Sequence, residues 1–218
     1  MKYVFFDLDG TLTDPGMGIT NSVWEALRHF KIEVNDRSEL YRFVGPPLIE
    51  SFMEYYGMTR DQATEAVQVF RAYFESKGIF ENVPYEGVRE MLSAVRAMGY
   101  QMVVATSKPE EFAKRILDRF EIREFFDGVY GASMDETRTK KGEVIDYALA
   151  SMGRPDLSNC LMVGDRKHDV MGAHENGFRA LGVLYGYGDA AEFEAANADG
   201  IAEKISDVPG KVREMLGD

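Results

Sequence analysis

YVFFDLDGTLTD, residues 3–14, is the stretch on which the reading of this chain turns. Four apolar residues, Tyr3 to Phe6, run directly into carboxylates at Asp7 and Asp9. An aromatic and β-branched run this short, bounded by a Gly-Thr turn signal, reads as a strand buried on both faces. Residues two apart on a strand point to the same face, so each carboxylate makes the other harder to ionise. A positive charge is needed between them. The strand is expected over Tyr3 to Leu8, and the same pattern of apolar run, turn and helix recurs at Gln101 to Thr106, Gly128 to Tyr130, Cys160 to Gly164 and Ala180 to Leu184. Strand and helix in alternation predict an α/β core, a doubly wound Rossmann-like parallel sheet. Such sheets bind ligands beyond the carboxyl ends of their strands, where Asp7, Thr106 and Asp165 fall.

Residues 15–83 break the alternation. Val23, Ala26, Leu27 and Phe30 share one helical face; Ala63, Ala66, Val67, Phe70 and Phe74 share another, with Thr59 and Gln62 spaced as a capping box. This predicts an all-helical cap domain, 15–83, inserted into a core formed by 1–14 and 84–218. Its hinges fall at Asp14-Pro15-Gly16 and Asn82-Val83-Pro84. The core resumes with a helix through Val88, Met91, Leu92, Val95 and Met98, stopped by Gly99. Beyond Asp189 the chain reads as helical segments joined by short polar links.

The 218 residues are 45% apolar and 28% charged, ordinary for a globular protein, and carry a formal net charge of −12. That charge argues against nucleic acid or an anionic membrane as partner, because both need a basic surface. Cys160 is the single cysteine and cannot form an internal disulfide, which predicts a reducing, cytoplasmic setting. The apolar run before Asp7 is far shorter than a signal-peptide core, and no later stretch approaches a membrane span. Oligomeric state is not readable.

Four constellations could carry chemistry. Asp7 and Asp9 call for a hard divalent cation, of which magnesium typically takes one or two carboxylates, waters and a substrate phosphate. Asp165 and Asp169, in LMVGDRKHDV, lie at a strand end and a helix start and can converge on one ion, although Asp169 alone reads as a helix cap. In VVATSKPEEF, Thr106 and Ser107 end a strand before Pro109 opens a helix, which makes an anion site from a hydroxyl and backbone N–H groups. Lys140 and Lys141 precede a further helix; alone, they read as a solvated basic patch. Together these parts are what phosphoryl transfer needs, a reaction driven by positioning and charge stabilisation.

DLDGTLT at 7–13, VVATS at 103–107, Lys141 and GDRKHD at 164–169 resemble, in order, the four motifs of the haloacid dehalogenase-like superfamily. The helical insertion resembles the C1-type cap of its phosphoglycolate phosphatase and 5′-nucleotidase-like branch, with DGTLTDPGMGITNSV, FVGPPL and ATSKPEEFA the closest stretches. The resemblance implies a magnesium-dependent phosphatase acting on small phosphate monoesters, phosphoglycolate-like or nucleoside monophosphate. Asp7 would be the nucleophile that becomes an aspartyl-phosphate, and Asp9 the general acid and base. Thr106, Ser107 and Lys141 would hold phosphoryl oxygens. Asp7, the Asp9 backbone carbonyl and Asp165 would bind the metal, with Asp169 as ligand or support. The lysine stands before glycine rather than the usual proline, so Lys140 competes with Lys141. Asn21, Arg42 and Gly45 are candidate leaving-group contacts in the cap. A β-phosphoglucomutase-like phosphotransferase or a pyrophosphatase would share the core motifs. A catalytically silent metabolite-binding regulator would share the fold, but the first motif keeps both its acids.

Overall fold

The computed structural model describes residues 1–135 and 137–217 and divides into two compact units, Met1–Thr13 with Pro84–Asp218, and Asp14–Val83. In chain order the elements are β1 (Tyr3–Phe6), β2 (Thr13–Asp14), α1 (Gly16–His29), α2 (Leu48–Tyr56), α3 (Arg60–Ser76), β3 (Val83–Pro84), α4 (Val88–Arg96) and β4 (Gln101–Pro109). They continue as α5 (Glu110–Arg119), β5 (Gly128–Ala132), α6 (Lys141–Ser151), β6 (Cys160–Gly164), α7 (Lys167–Glu175), β7 (Arg179–Val183), α8 (Ala190–Ala195), β8 (Gly200–Ala202) and α9 (Val208–Leu216). The short strands β2 and β3 pair with each other where the chain passes between units.

The larger unit is a six-stranded parallel sheet of order β5-β4-β1-β6-β7-β8, the Rossmann-like α/β core expected from the strand-helix alternation. The strands are nearly continuous apolar runs because both faces are covered. Phe5, Val103, Ala105, Met162 and Ala180 pack on one face against Val144, Ile145, Ala148 and Leu149 of α6, Val170 and Ala173 of α7, and Phe193 of α8. Alternate residues, among them Val4, Phe6, Met102, Val104, Leu161 and Val163, are equally buried and point the other way. That face is closed by α9, which packs against β6, β7, β8 and the amphipathic helix α4. Strand order runs outward from β1 through β4 to β5, then reverses through β6 to β8, so the topological switch point lies at the carboxyl end of β1.

Three sequence expectations are corrected. β1 stops at Phe6, not Leu8: the Leu8 carbonyl accepts the N–H groups of Thr11, Leu12 and Thr13, curling the chain into a turn. Pro109 precedes α5 as its flanking residue instead of opening it, with an extended ψ of 130°. Past Asp189 the chain is not wholly helical. Gly200–Ala202 adds the edge strand β8 in parallel to β7, too short a run to show alternation in the sequence.

The smaller unit is helical among its longer elements. α3 begins with the capping box expected there: the Gln62 N–H donates to Thr59 Oγ1 and the Thr59 N–H to Gln62 Oε1. Ala63, Ala66, Val67, Phe70 and Phe74 form its buried stripe, facing the Val23, Ala26 and Leu27 side of α1.

Candidate active site

Asp7 follows β1 directly, and its N–H donates to the Val163 carbonyl, which carries the β1–β6 ladder one residue past the strand. Asp165 follows β6, Thr106 lies in β4, Lys141 opens α6 and Asp169 stands in the first turn of α7. These side chains therefore meet at one rim of the sheet, and all are buried.

Lys141 holds the centre. Its ammonium lies 2.8 Å from Asp7 Oδ1, 2.8 Å from Asp169 Oδ1 and 3.0 Å from the Ala105 carbonyl. Lys140 is exposed, and its backbone N–H donates to Glu143. The structure thus brings Lys141, not Lys140, to the acids. Asp7 Oδ1 also accepts the Leu8 N–H at 2.7 Å. Asp169 is a helix cap, its Oδ2 accepting the Arg166 N–H at 3.0 Å, while its Oδ1 turns to Lys141.

Asp9 is separated from this group by its own partner. Lys108 Nζ lies 2.6 Å from Asp9 Oδ2, and Asp9 Oδ1 is buried without a hydrogen-bond partner. Thr106 Oγ1 accepts the Lys108 N–H at 3.2 Å; Ser107, between them, is half-buried.

Asp165 is gripped from two loops. The Tyr187 N–H donates to its Oδ2 at 2.9 Å and the Thr11 hydroxyl lies 3.3 Å from its Oδ1. Tyr185 hydrogen-bonds the Thr11 carbonyl at 3.0 Å, tying the loop after β7 to the loop after β1. Glycines make this fit possible. A Cβ on Gly10, at φ +80°, would fall 2.0 Å from Asp165 Oδ2, and one on Gly186 would fall 2.4 Å from Asp165 Cβ. Lys108, Thr11, Tyr185 and Tyr187 were missed in the sequence. The signal was LYGYGD at 184–189, glycine alternating with aromatic directly after a strand end.

Carboxylate oxygens of Asp7, Asp165 and Asp169 all lie within 4.8 Å of one another. Burial pushes the Asp165 carboxyl well above its ordinary range, and the charges of Asp169 and Asp7 push it further. Burial likewise raises Asp169 to about 6 against the pull of Lys141. For Asp9 burial again outweighs its lysine, Lys108. Lys141 itself is held protonated, because Asp169 and Asp7 overcome the opposing effect of burial. Asp169 Oδ1 is answered by the Lys141 ammonium at 2.8 Å, a charge that Lys141 divides with Asp7. Three crowded, oxygen-only donors with too little positive charge fit a divalent metal ion.

The three cap candidates lie in the smaller unit. Asn21 donates to Glu81 Oε2 at 2.9 Å and accepts from Arg37; Arg42 stacks over Tyr55, 4.4 Å from the ring centre; Gly45 has φ +100°.

The family model of the haloacid dehalogenase-like hydrolases matches residues 4–183. A 5′-nucleotidase of Pseudomonas aeruginosa is 44% identical over 192 residues, 88% of this chain and 86% of that one. The tyrosine-protein kinase PtkA of Mycobacterium tuberculosis is 40% identical over 189 residues, 87% of this chain but 64% of that longer protein. The crystal structure of a predicted phosphatase from Clostridium acetobutylicum superposes with a TM-score of 0.95 at 44% identity, covering 98% of each chain. The chain belongs to the haloacid dehalogenase-like hydrolases. Within that family it is a phosphatase. Among the described residues no helix is long and apolar enough to cross a membrane.

The crowding has a consequence for stability. Between the ordinary aspartate value of 3.8 and about 6, the folded chain holds protons on Asp169 that the unfolded chain has released. Folding is therefore favoured as pH falls through that window, and the raised values of Asp165 and Asp9 act in the same sense. Asp127, lowered by Arg96, matters only under more acid conditions, whereas His168, lowered by burial and by Arg166, opposes the trend below 6.5, one group against three. Urea unfolding in excess EDTA should give a larger unfolding free energy at pH 5 than at pH 7. The opposite order would mean that the carboxylates are not crowded as described.

Proposed function

We propose that the protein hydrolyses small phosphate monoesters with magnesium, through a phosphoryl group carried transiently on Asp7. The observation that carries this reading is the unequal treatment of two neighbouring acids. Asp7 lies in the Lys141 and carboxylate cluster, while Asp9 is drawn to Lys108. Crowded acids with separate partners suit separate tasks.

In the first step an Asp7 carboxylate oxygen attacks phosphorus. The ester P–O bond breaks, its electron pair stays on the leaving oxygen, and Asp9 supplies that oxygen with a proton. In the second step water gives a proton back to Asp9 and attacks the same phosphorus, the bond to Asp7 breaks, and phosphate leaves. Lys141 carries positive charge towards the phosphoryl oxygens. Thr106 spends its lone pair on the Lys108 N–H and keeps its own proton for one of those oxygens, with Ser107 contributing beside it. Magnesium held by Asp7, the Asp9 carbonyl and Asp165, with Asp169 in support, would supply charge stabilisation at the transferring group.

The unit Asp14–Val83 is assigned as the cap that selects the leaving group, with Asn21, Arg42 and Gly45 as its contacts. Nucleoside monophosphates lead the substrate candidates, on the strength of the 5′-nucleotidase relative, with phosphoglycolate-like esters next.

Hydrolysis of p-nitrophenyl phosphate should require magnesium and be abolished by EDTA and by Asp7→Asn. Activity that survives both would rule the mechanism out. A screen of nucleoside monophosphates, phosphoglycolate, sugar phosphates and pyrophosphate by kcat/KM should rank a monoester first. Arg42→Ala should reorder that ranking, and an unchanged order would remove Arg42 from the specificity contacts.

A further inference from the structure

β4 does not end cleanly. Its pairing with β5 is regular as far as Thr106 opposite Gly131, then resumes with Pro109 opposite Ala132, so Ser107 and Lys108 are extra residues against an unbroken partner strand. Such a bulge re-aims side chains and is common beside active sites. Here it turns Lys108 inward: the side chain is buried, its N–H is fixed on Thr106 Oγ1, and its ammonium reaches Asp9. Gly131 lets the strands close around the irregularity, since a Cβ there would fall 2.6 Å from the Lys108 carbonyl oxygen.

We propose that Lys108 is the positioning residue for proton transfer by Asp9: it occupies Oδ2 and thereby leaves the proton on Oδ1, facing the leaving oxygen. The inference deepens the function proposed above and rests on Asp9 as the proton donor. A cationic donor 2.6 Å from Oδ2 excludes a proton from that oxygen, because two donors cannot share one contact. Oδ1 is the Asp9 oxygen without a hydrogen-bond partner among the described residues. When the ester bond breaks and Oδ1 gives up its proton, the resulting carboxylate is already paired with Lys108. Stabilisation of the proton donor's charged product is worth most when the leaving group is a strong base. Lys108 thus makes alkyl phosphates, whose alkoxides leave poorly, accessible as a substrate class beside aryl phosphates.

The test compares single-turnover release of the leaving group from p-nitrophenyl phosphate with that from the alkyl monophosphate that the wild type turns over best, which isolates the first step from the water attack that Asp9 also serves. Lys108→Met should slow the alkyl ester about 10²-fold, in the range of lost general-acid catalysis, and the aryl ester by under about threefold. Lys108→Arg, which keeps a cation, should restore the alkyl rate to within about tenfold of wild type, a rescue that a purely structural defect would not show. In an Asp9→Asn background Lys108→Met should add almost nothing, because residues acting as one unit are not additive. Equal losses on both esters, or a full extra loss in the Asp9→Asn background, would overturn the role. Should Lys108→Met fail to fold, Lys108→Gln removes the charge while keeping a donor and carries the same comparison. If Asp9→Asn slows single-turnover leaving-group release from both esters alike, Asp9 is not the proton donor, and the proposed function fails at that point. An Asp9→Asn variant selective against the alkyl ester, beside a Lys108→Met variant that is not, refutes the inference alone.

Discussion

Everything at this site depends on one buried ammonium group. Lys141 Nζ lies 2.8 Å from a carboxylate oxygen of Asp7 and 2.8 Å from one of Asp169, with the Ala105 carbonyl completing its contacts. Four secondary-structure elements are pinned by that atom: the end of β1, the Ala105 position of β4, the start of α6 and the first turn of α7. Taking ions out of water costs several kcal/mol each, and such a group persists only where its partners are held in place. The parallel sheet holds them, because β1 and β6 are adjacent strands in register and deliver Asp7 and Asp165 to the same rim.

The electrostatics are deliberately unfinished. One lysine answers Asp7 and Asp169, a second answers Asp9, and Asp165 accepts from neutral donors among the described residues, the Tyr187 N–H and the Thr11 hydroxyl. A well-packed protein usually neutralises buried charge, so a residual negative field of this kind fits a divalent cation, whose charge would in turn offset the repulsion between these acids and a phosphoryl group. The glycines around Asp165 serve that field by letting two loops press against the carboxylate without side chains in between.

The framework was legible because its signals are local. Apolar runs ending in acid, as at Phe6-Asp7 and Gly164-Asp165, state both the strand and the place where it stops. The resemblance of the stretches around Asp7, Thr106, Lys141 and Asp165 to the family's ordered motifs implied the kind of site. Lys108 was not legible because its direction is set by a bulge, and a bulge is a property of pairing with β5 that the sequence of β4 alone does not contain. β8 was hidden for a related reason: three residues, Gly200 to Ala202, become a strand only by borrowing the edge of β7. Asp169 was legible as a helix cap, which its Oδ2 provides, but the Lys141 ammonium that faces its Oδ1 was not, because that contact joins the starts of two helices far apart in the chain.

The central claim is that Asp7, beside Lys141, carries the phosphoryl group between substrate and water. Rapid acid quench of enzyme, magnesium and a labelled phosphate ester, followed by hydroxylamine treatment and peptide mapping, tests it most directly. The account predicts a hydroxylamine-sensitive acyl phosphate on the peptide containing Asp7, formed and consumed at rates compatible with turnover. Label on any other residue, or steady hydrolysis with no acyl phosphate at any quench time in an Asp9→Asn enzyme that still binds substrate, would contradict it.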